Sequence, residues 1–461
     1  MIELREYQKN IAKTCLFHNC LVVLPTGLGK THIAFYIMSR YKTGLFLAPT
    51  KPLVEQQAKV FMEHYSQDVE IATGDNRKRQ YKARYIFATP QTIERDLDRL
   101  DPERFDVIVF DEAHKAVGNY AYVKIAKHFR PKRIIGLTAS PGHDIERIQE
   151  ILHNLRIQRI EIRTEEDPDV KPYMQKKLIR YVPVELTPEY KELVKMLGEL
   201  MKKHAETLKK FHIPVPTKAT MSASMQEIDK LPPEHRFPAM IAFSQYVNLS
   251  HIKELLETES VLAVKNYLQK LDRKKQSVKA LLKDLEPFLK KLDEVGEHPK
   301  VKKAVSLIKA LKGKKGILFS QYTDQIRYLK DLLEKEGIKA EIFIGKHKGY
   351  TRKDQLRTLE RFRKGEFDVL VSSSIGEEGL DVPVVDFVIF YEPVPSAIRT
   401  IQRMGRTGRF REGYVYMLVA KGTRDQGYMY AAKKRTKQMY STLNNLKKTL
   451  EEAKKKTLLD F

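Results

Sequence analysis

Leu21-Val22-Val23-Leu24-Pro25-Thr26-Gly27-Leu28-Gly29-Lys30-Thr31 carries four apolar residues into a glycine-bearing loop, and Ile33-Ala34-Phe35-Tyr36-Ile37-Met38 follows with helical character. A loop of this kind between a buried strand and a helix turns backbone N–H groups and a helix N-terminus toward one point, which suits a polyphosphate. Gly27 and Gly29 let the backbone curl, Lys30 offers a point charge to the β- and γ-phosphates, and the Thr31 hydroxyl suits Mg²⁺. The general pattern wants glycine at the first loop position, where this chain has Leu24. A plain glycine turn after a core strand would look similar, but Gly29-Lys30-Thr31 stands where a nucleotide-binding loop needs it.

Outward from that loop, short apolar runs alternate with helix-length segments. Leu45-Phe46-Leu47-Ala48, Tyr85-Ile86-Phe87-Ala88, Val107-Ile108-Val109-Phe110 and Ile134-Ile135-Gly136-Leu137 predict a parallel α/β sheet over residues 1–165. Ligands of such a sheet gather at the C-terminal ends of its strands. Residues 166–184 read as a connector. Between 185 and 310 the strands disappear, and Tyr190, Leu193, Val194, Leu197, Leu200 and Met201 recur at helical spacing, predicting a helical insertion. A lysine-dense stretch, Asn266 to Lys291, reads first as a solvated helix face. Alternation resumes at Gly316-Ile317-Leu318-Phe319, Ala340 to Ile344, Asp368 to Val371 and Val385 to Phe390, so a second α/β sheet is expected over 311–430. The tail, 431–461, reads as basic and helical.

The chain has 461 residues and a net charge of +25. That length exceeds a single core, and that charge favours a polyanionic partner, most simply nucleic acid. A merely lysine-rich surface would give the same balance. Cys15 and Cys20 are the two cysteines, too few for a disulfide framework or a metal cluster, which suggests a reducing compartment. No export signal is legible at the N-terminus, and no apolar run reaches the ~18 residues that span a bilayer. A soluble, cytoplasmic protein is expected.

Asp111-Glu112-Ala113-His114 follows the run ending at Phe110. A carboxylate there suits Mg²⁺ held through water, and its neighbour Glu112 suits the orientation and deprotonation of an attacking water. Together with Lys30 and Thr31 this predicts a nucleoside triphosphatase in which Thr31 and Asp111 hold the metal.

From this point the chain resembles the superfamily 2 helicases, motif by motif and in order. Arg5-Glu6-Tyr7-Gln8 resembles their adenine-reading motif, which implies that Arg5 and Gln8 join Pro25, Thr26, Gly27, Leu28, Gly29, Lys30 and Thr31 at the nucleotide. Ala48 to Leu53, Thr73-Gly74 and Ala88-Thr89-Pro90-Gln91-Thr92 resemble the strand-tracking motifs of the first domain, and Thr138-Ala139-Ser140 the segment coupling the ATP site to inter-domain closure. In the second domain Ser320-Gln321-Tyr322 and Ser372 to Asp381 match corresponding motifs, which implies nucleotide contact by Gly379 and Asp381. Thr50, Lys51, Gly74, Thr89, Pro90, Ser320, Gln321 and Ser374 are the expected backbone contacts to nucleic acid, suited to sequence-independent binding. Gln402-Arg403-Met404-Gly405-Arg406-Thr407-Gly408-Arg409 resembles the arginine-finger motif; Arg406 and Arg409 suit the γ-phosphate, with Gln402 beside them.

The wording of 24–31, 48–54, 110–122, 136–142 and 391–399 is similar to the archaeal Hef and eukaryotic Fanconi anaemia group M helicases. That resemblance implies two RecA-like parallel α/β domains in tandem with a thumb-like helical insertion, a DEAH-box ATPase, and ATP-driven unwinding or branch migration of forked DNA in repair. Relatives often add a nuclease bearing Glu-Arg-Lys-x-x-x-Asp; the sequence lacks it, so no nuclease activity is expected. Lys455 to Phe461 resembles a peptide that binds the sliding clamp PCNA, with Lys455 in place of its glutamine, and an ordinary frayed terminus is the plainer reading. Two other readings compete. One is a duplex-RNA-stimulated ATPase, whose relatives usually add a zinc-bearing domain that two cysteines cannot build; the other is a nucleotide-gated DNA-binding scaffold.

Overall fold

The glycine loop is preceded by strand β1 (Cys20–Val23), all four residues of which are buried. The structure is a computed structural model, and it describes residues 2–75, 79–173, 177–217, 219–345, 350–373, 383–393 and 413–459. Strand β1 lies within a sheet of seven, joined by β2 (Gly44–Leu47), β3 (Val69–Ala72), β4 (Tyr85–Ala88), β5 (Val107–Asp111), β6 (Arg133–Thr138) and β7 (Arg159–Ile162). The order is β3-β4-β2-β5-β6-β1-β7 and every neighbouring pair is parallel. Successive side chains go to opposite faces, so Leu21, Val23, Ile108 and Phe110 enter one core while Cys20, Val22, Val107 and Val109 enter the other. Cys15 and Cys20 are both free thiols in the second of these cores.

Six strands make the second sheet: β8 (Lys177–Val184), β9 (Gly316–Phe319), β10 (Ala340–Phe343), β11 (Val369–Ser372), β12 (Phe387–Phe390) and β13 (Gly413–Ala420). Their order is β10-β11-β9-β12-β13-β8, again all parallel. Here the structure departs from the sequence reading. Residues 177–184, read as connector, pair in register with β13 as an edge strand. An edge position tolerates the exposed Leu178, Ile179 and Tyr181 and also Pro183, features that hide a strand from a search for apolar runs.

Helices fill the interval after β8, with a core of their own around Tyr190, Leu193, Leu197, Ile252, Leu256 and Phe288. They end with the helix Glu286–Glu294. The next helix, Pro299–Ala310, packs Val301, Ala304 and Ile308 into the core of the second sheet, so the insertion stops short of residue 310. The C-terminal helix, Arg424–Leu459, begins before residue 431 and is more than a basic tail. Its Met439 and Leu443 are fully buried in the core of the first sheet. Among the described residues no helix is long and apolar enough to cross a membrane.

Candidate ATP site and nucleic-acid loops

Sheet order sorts the motif loops into two groups. Strands β5, β6 and β1 are adjacent, so the loops after them, carrying Asp111-Glu112, Thr138-Ala139-Ser140 and 24–31, converge at one edge. Strands β3, β4 and β2 are adjacent on the other flank, and there Gly74, Thr89-Pro90 and Thr50-Lys51 follow the strand ends.

Within the phosphate loop Gly27 (φ +89°) and Gly29 (φ +69°) occupy left-handed conformations that side chains resist. A Cβ on Gly29 would also lie 2.5 Å from Gln8 Nε2. Gln8 is buried beneath the loop: its Nε2 donates to Leu28 O at 3.1 Å and its Oε1 accepts from Arg5 N at 2.9 Å. Tyr7 OH donates to the same Leu28 O at 2.8 Å, so the helix Glu6–Phe17 holds the loop from below. That buttress was not legible in the sequence. Lys30 and Thr31 open the helix Lys30–Met38, and Lys30 Nζ donates to the Leu24 carbonyl at 3.0 Å.

Asp111 ends β5, its backbone carbonyl accepting from Tyr122 OH at 2.6 Å. Burial, reinforced by the adjacent Glu112 charge and opposed by Lys30, pushes the Asp111 carboxyl up to about 7. A divalent cation against this carboxylate would reverse that shift, so the donor set fits a hard metal ion. Glu112 sits in the left-handed region (φ 51°, ψ 51°), a strained conformation typical of functional turns. Burial raises its carboxyl, but the hydrogen bond and charge of His114, with Lys30 and Lys115, outweigh that and hold it below the usual range. Glu112 is therefore an anion beside a protonatable neighbour, the state a water-activating base requires.

His114 adds a link that residue types alone do not reveal. Its Nδ1 lies 3.3 Å from Glu112 Oε2 and 3.3 Å from Thr138 Oγ1. The Thr138 hydroxyl in turn accepts from Ser140 N at 3.1 Å, so Glu112 and the Thr138-Ala139-Ser140 segment form one polar chain.

On the other flank, Thr50 and Thr89 are N-cap residues, and Lys51 and Pro90 open the helices that follow them. Lys51 pairs with Asp75 and Glu55, while a Cβ on Gly74 would meet open space. In the second sheet Ser320 follows β9 but is fully buried, its N–H donating to Ser372 O at 3.0 Å. The Gln321 N–H donates to Glu392 Oε1 at 2.5 Å. The backbone is helical to Leu459, and the side chains of 453–461 lie outside the described residues, as do Ser374, Gly379, Asp381, Gln402, Arg406 and Arg409.

Two family models match the chain: "Type III restriction enzyme, res subunit" over residues 1–143 and "Helicase conserved C-terminal domain" over residues 299–411. A Methanocaldococcus jannaschii protein named as an ATP-dependent RNA helicase is 39% identical over 479 residues, 96% of this chain and 61% of that protein. The ATP-dependent DNA helicase fml1 of Schizosaccharomyces pombe is 34% identical over 507 residues, 96% of this chain and 60% of that protein. This chain thus spans about three fifths of the length of these two relatives. The crystal structure of the Pyrococcus furiosus Hef helicase domain is 39% identical with a TM-score of 0.72, covering 93% of this chain and 98% of that one. With that domain matched almost end to end and both sheets in place, the chain belongs to the Hef and Fanconi anaemia group M family of superfamily 2 ATP-dependent helicases.

Proposed function

We propose that this chain hydrolyses ATP to translocate along and remodel forked or branched DNA. The observation that carries the reading is the sorting of loops: nucleotide residues after β1, β5 and β6 stand on the same sheet edge as candidate backbone contacts after β2, β3 and β4. Lys30 would neutralise the β- and γ-phosphates, and Glu112 would take a proton from the attacking water. Mg²⁺ held by Thr31 and Asp111 would draw charge from the transferring phosphoryl group when bound. Arg406 and Arg409 would complete the site from the second domain and make hydrolysis depend on closure.

The net charge of +25 supports a polyanionic substrate, and the relatives of Schizosaccharomyces pombe and Neurospora crassa named as DNA helicases weigh toward DNA, against the Methanocaldococcus jannaschii relative named as an RNA helicase. The test measures ATP turnover with single-stranded DNA, a fork, a four-way junction and duplex RNA, with Lys30→Ala as control. Branched DNA is expected to stimulate most. Stronger stimulation by duplex RNA would overturn the substrate, and turnover indifferent to every nucleic acid would favour the scaffold reading. Binding of PCNA through Lys455 to Phe461 is a separate proposal, which calorimetry with a peptide of that terminus tests.

A further inference from the structure

We infer that Met439 is a positioning residue through which the C-terminal helix adjusts the ATP site. The polar chain from Glu112 does not stop at Ser140. Ser140 Oγ donates to Met439 Sδ at 3.0 Å, and both side chains are buried, Met439 completely. Four interactions therefore lead from the water-activating base through His114 and Thr138 to a residue on the last helix of the chain.

That helix is anchored elsewhere. Its first turns are tied to the insertion and the second sheet: Arg424 Nη1 meets Glu254 Oε2 at 2.8 Å, Tyr428 OH donates to Glu254 Oε1 at 2.7 Å, and Asp425 pairs with Lys300 at 2.8 Å. Further along, Lys433 Nζ stands 3.8 Å over the Tyr181 ring of β8. Past that point Met439 and Leu443, supported by Tyr440, Leu446 and Leu450, pack into the core of the first sheet, and Arg159 Nη1 donates to Leu450 O at 3.0 Å.

A helix of 36 residues is a rod of about 54 Å. One end moves with the second sheet and the insertion, and the middle is embedded beside Ser140. Movement of the second sheet is thus delivered as a shift or rotation at Met439. Close packing makes that displacement discrete, because a thioether either fills its site and accepts the Ser140 hydroxyl or it does not. The Ser140 backbone N–H shares Thr138 Oγ1 with His114, so loss of the Met439 contact loosens the chain that orients Glu112.

The full-length protein tests this through the ratio of ATP turnover with saturating single-stranded DNA to turnover without it. Met439→Leu keeps the volume and removes the acceptor; Ser140→Ala removes the donor. Each is expected to lower the ratio about fivefold with the KM for ATP within about twofold of the parent, a pattern of coupling rather than binding loss. Because the two groups form one link, the double variant should fall no further than either single variant. An unchanged ratio in Ser140→Ala, or in Met439→Leu melting at the parent temperature, overturns the inference, as does a double variant in which the two losses multiply. The inference rests on the ATP-driven reading, and the two fail differently: a parent protein not stimulated by DNA sinks that reading, whereas a normal ratio in the variants sinks only the coupling.

Discussion

Replacing Lys300 by Met should unseat the junction between the second sheet and the helical insertion. Lys300 and its partner Asp425 are both 0% exposed, with Nζ 2.8 Å from Asp425 Oδ2, 2.7 Å from Thr258 O and 4.7 Å from the Tyr391 ring centre. Glu259 and Glu392 are buried in the same region, so this one ammonium stands among three carboxyl groups. Burial already pushes the Asp425 and Glu259 carboxyls upward against the pull of Lys300. Removing the cation from such a site costs about 3–5 kcal/mol, because the partner is left charged and unsolvated or must bind a proton. At roughly 2–4 °C per kcal/mol, the calorimetric transition of the second domain should fall by about 10 °C. The sign of its pH dependence follows. In Lys300→Met the folded Asp425 carboxyl is raised above its unfolded value, the folded state holds the extra proton, and stability falls as pH rises, by up to about 1.4 kcal/mol per unit. Lys300→Met/Asp425→Asn keeps an acceptor for Ala420 N, now 3.0 Å from Asp425 Oδ2, and should recover most of the loss. A single variant within about 1 kcal/mol of the parent, or a double variant as unstable as the single, would refute the argument.

The other predictions are simpler to state. His298 is fully buried, and burial with the Lys300 charge lowers its imidazole to about 3. The unfolded chain therefore binds a proton that the fold refuses, so stability is complete above about pH 6.5 and falls toward acid, by about 2 kcal/mol at pH 5. His298→Asn, which can still cap the helix Pro299–Ala310, should flatten that acid slope; an unchanged slope in thermal melts counts against it. A Cβ at Gly316 would enter the Phe387 ring, so Gly316→Ala should cost about 3 kcal/mol or more by denaturant titration. Gly29→Ala combines a positive φ with the clash on Gln8 and should abolish binding of a fluorescent ATP analogue while leaving the fold intact by circular dichroism. His114→Ala should lower turnover by about 10²-fold, since Glu112 loses its partner; a loss under threefold would show that His114 only packs.

Most strands legible in the sequence are buried on both faces; the edge strand β10, legible at Ala340 to Ile344 although only partly buried, is the exception. β2, β4, β5, β6, β9 and β11 read as continuous apolar runs because helices cover each side of a parallel sheet. β3 and β7 escape that reading because they are edge strands: Val-Glu-Ile-Ala and Arg-Ile-Glu-Ile alternate and are only partly buried. β8 escapes for the same reason. The candidate ATP residues are legible because phosphate chemistry demands a fixed local spacing around Lys30 and Asp111. Their support is not, since Gln8 beneath the loop, Tyr122 on Asp111 and Thr138 on His114 lie up to 24 residues from the groups they hold and use side chains with no unique meaning in a sequence.

By itself, then, the sequence determined the chemistry of the chain: the Gly27 to Thr31 loop, the Asp111-Glu112 pair, and two apolar strand series separated by a helical stretch. Each is a local pattern, set by backbone geometry, burial or the requirements of a phosphate. The tertiary structure decided which parts are mechanically joined. The C-terminal helix reads as a basic tail because its decisive residues, Met439 and Leu443, are ordinary apolar side chains. Their partners in the first sheet lie some 300 residues earlier, Ser140 being 299 positions from Met439. Packing across that separation has no local signature, and it places the last helix of the chain against the Thr138-Ala139-Ser140 segment.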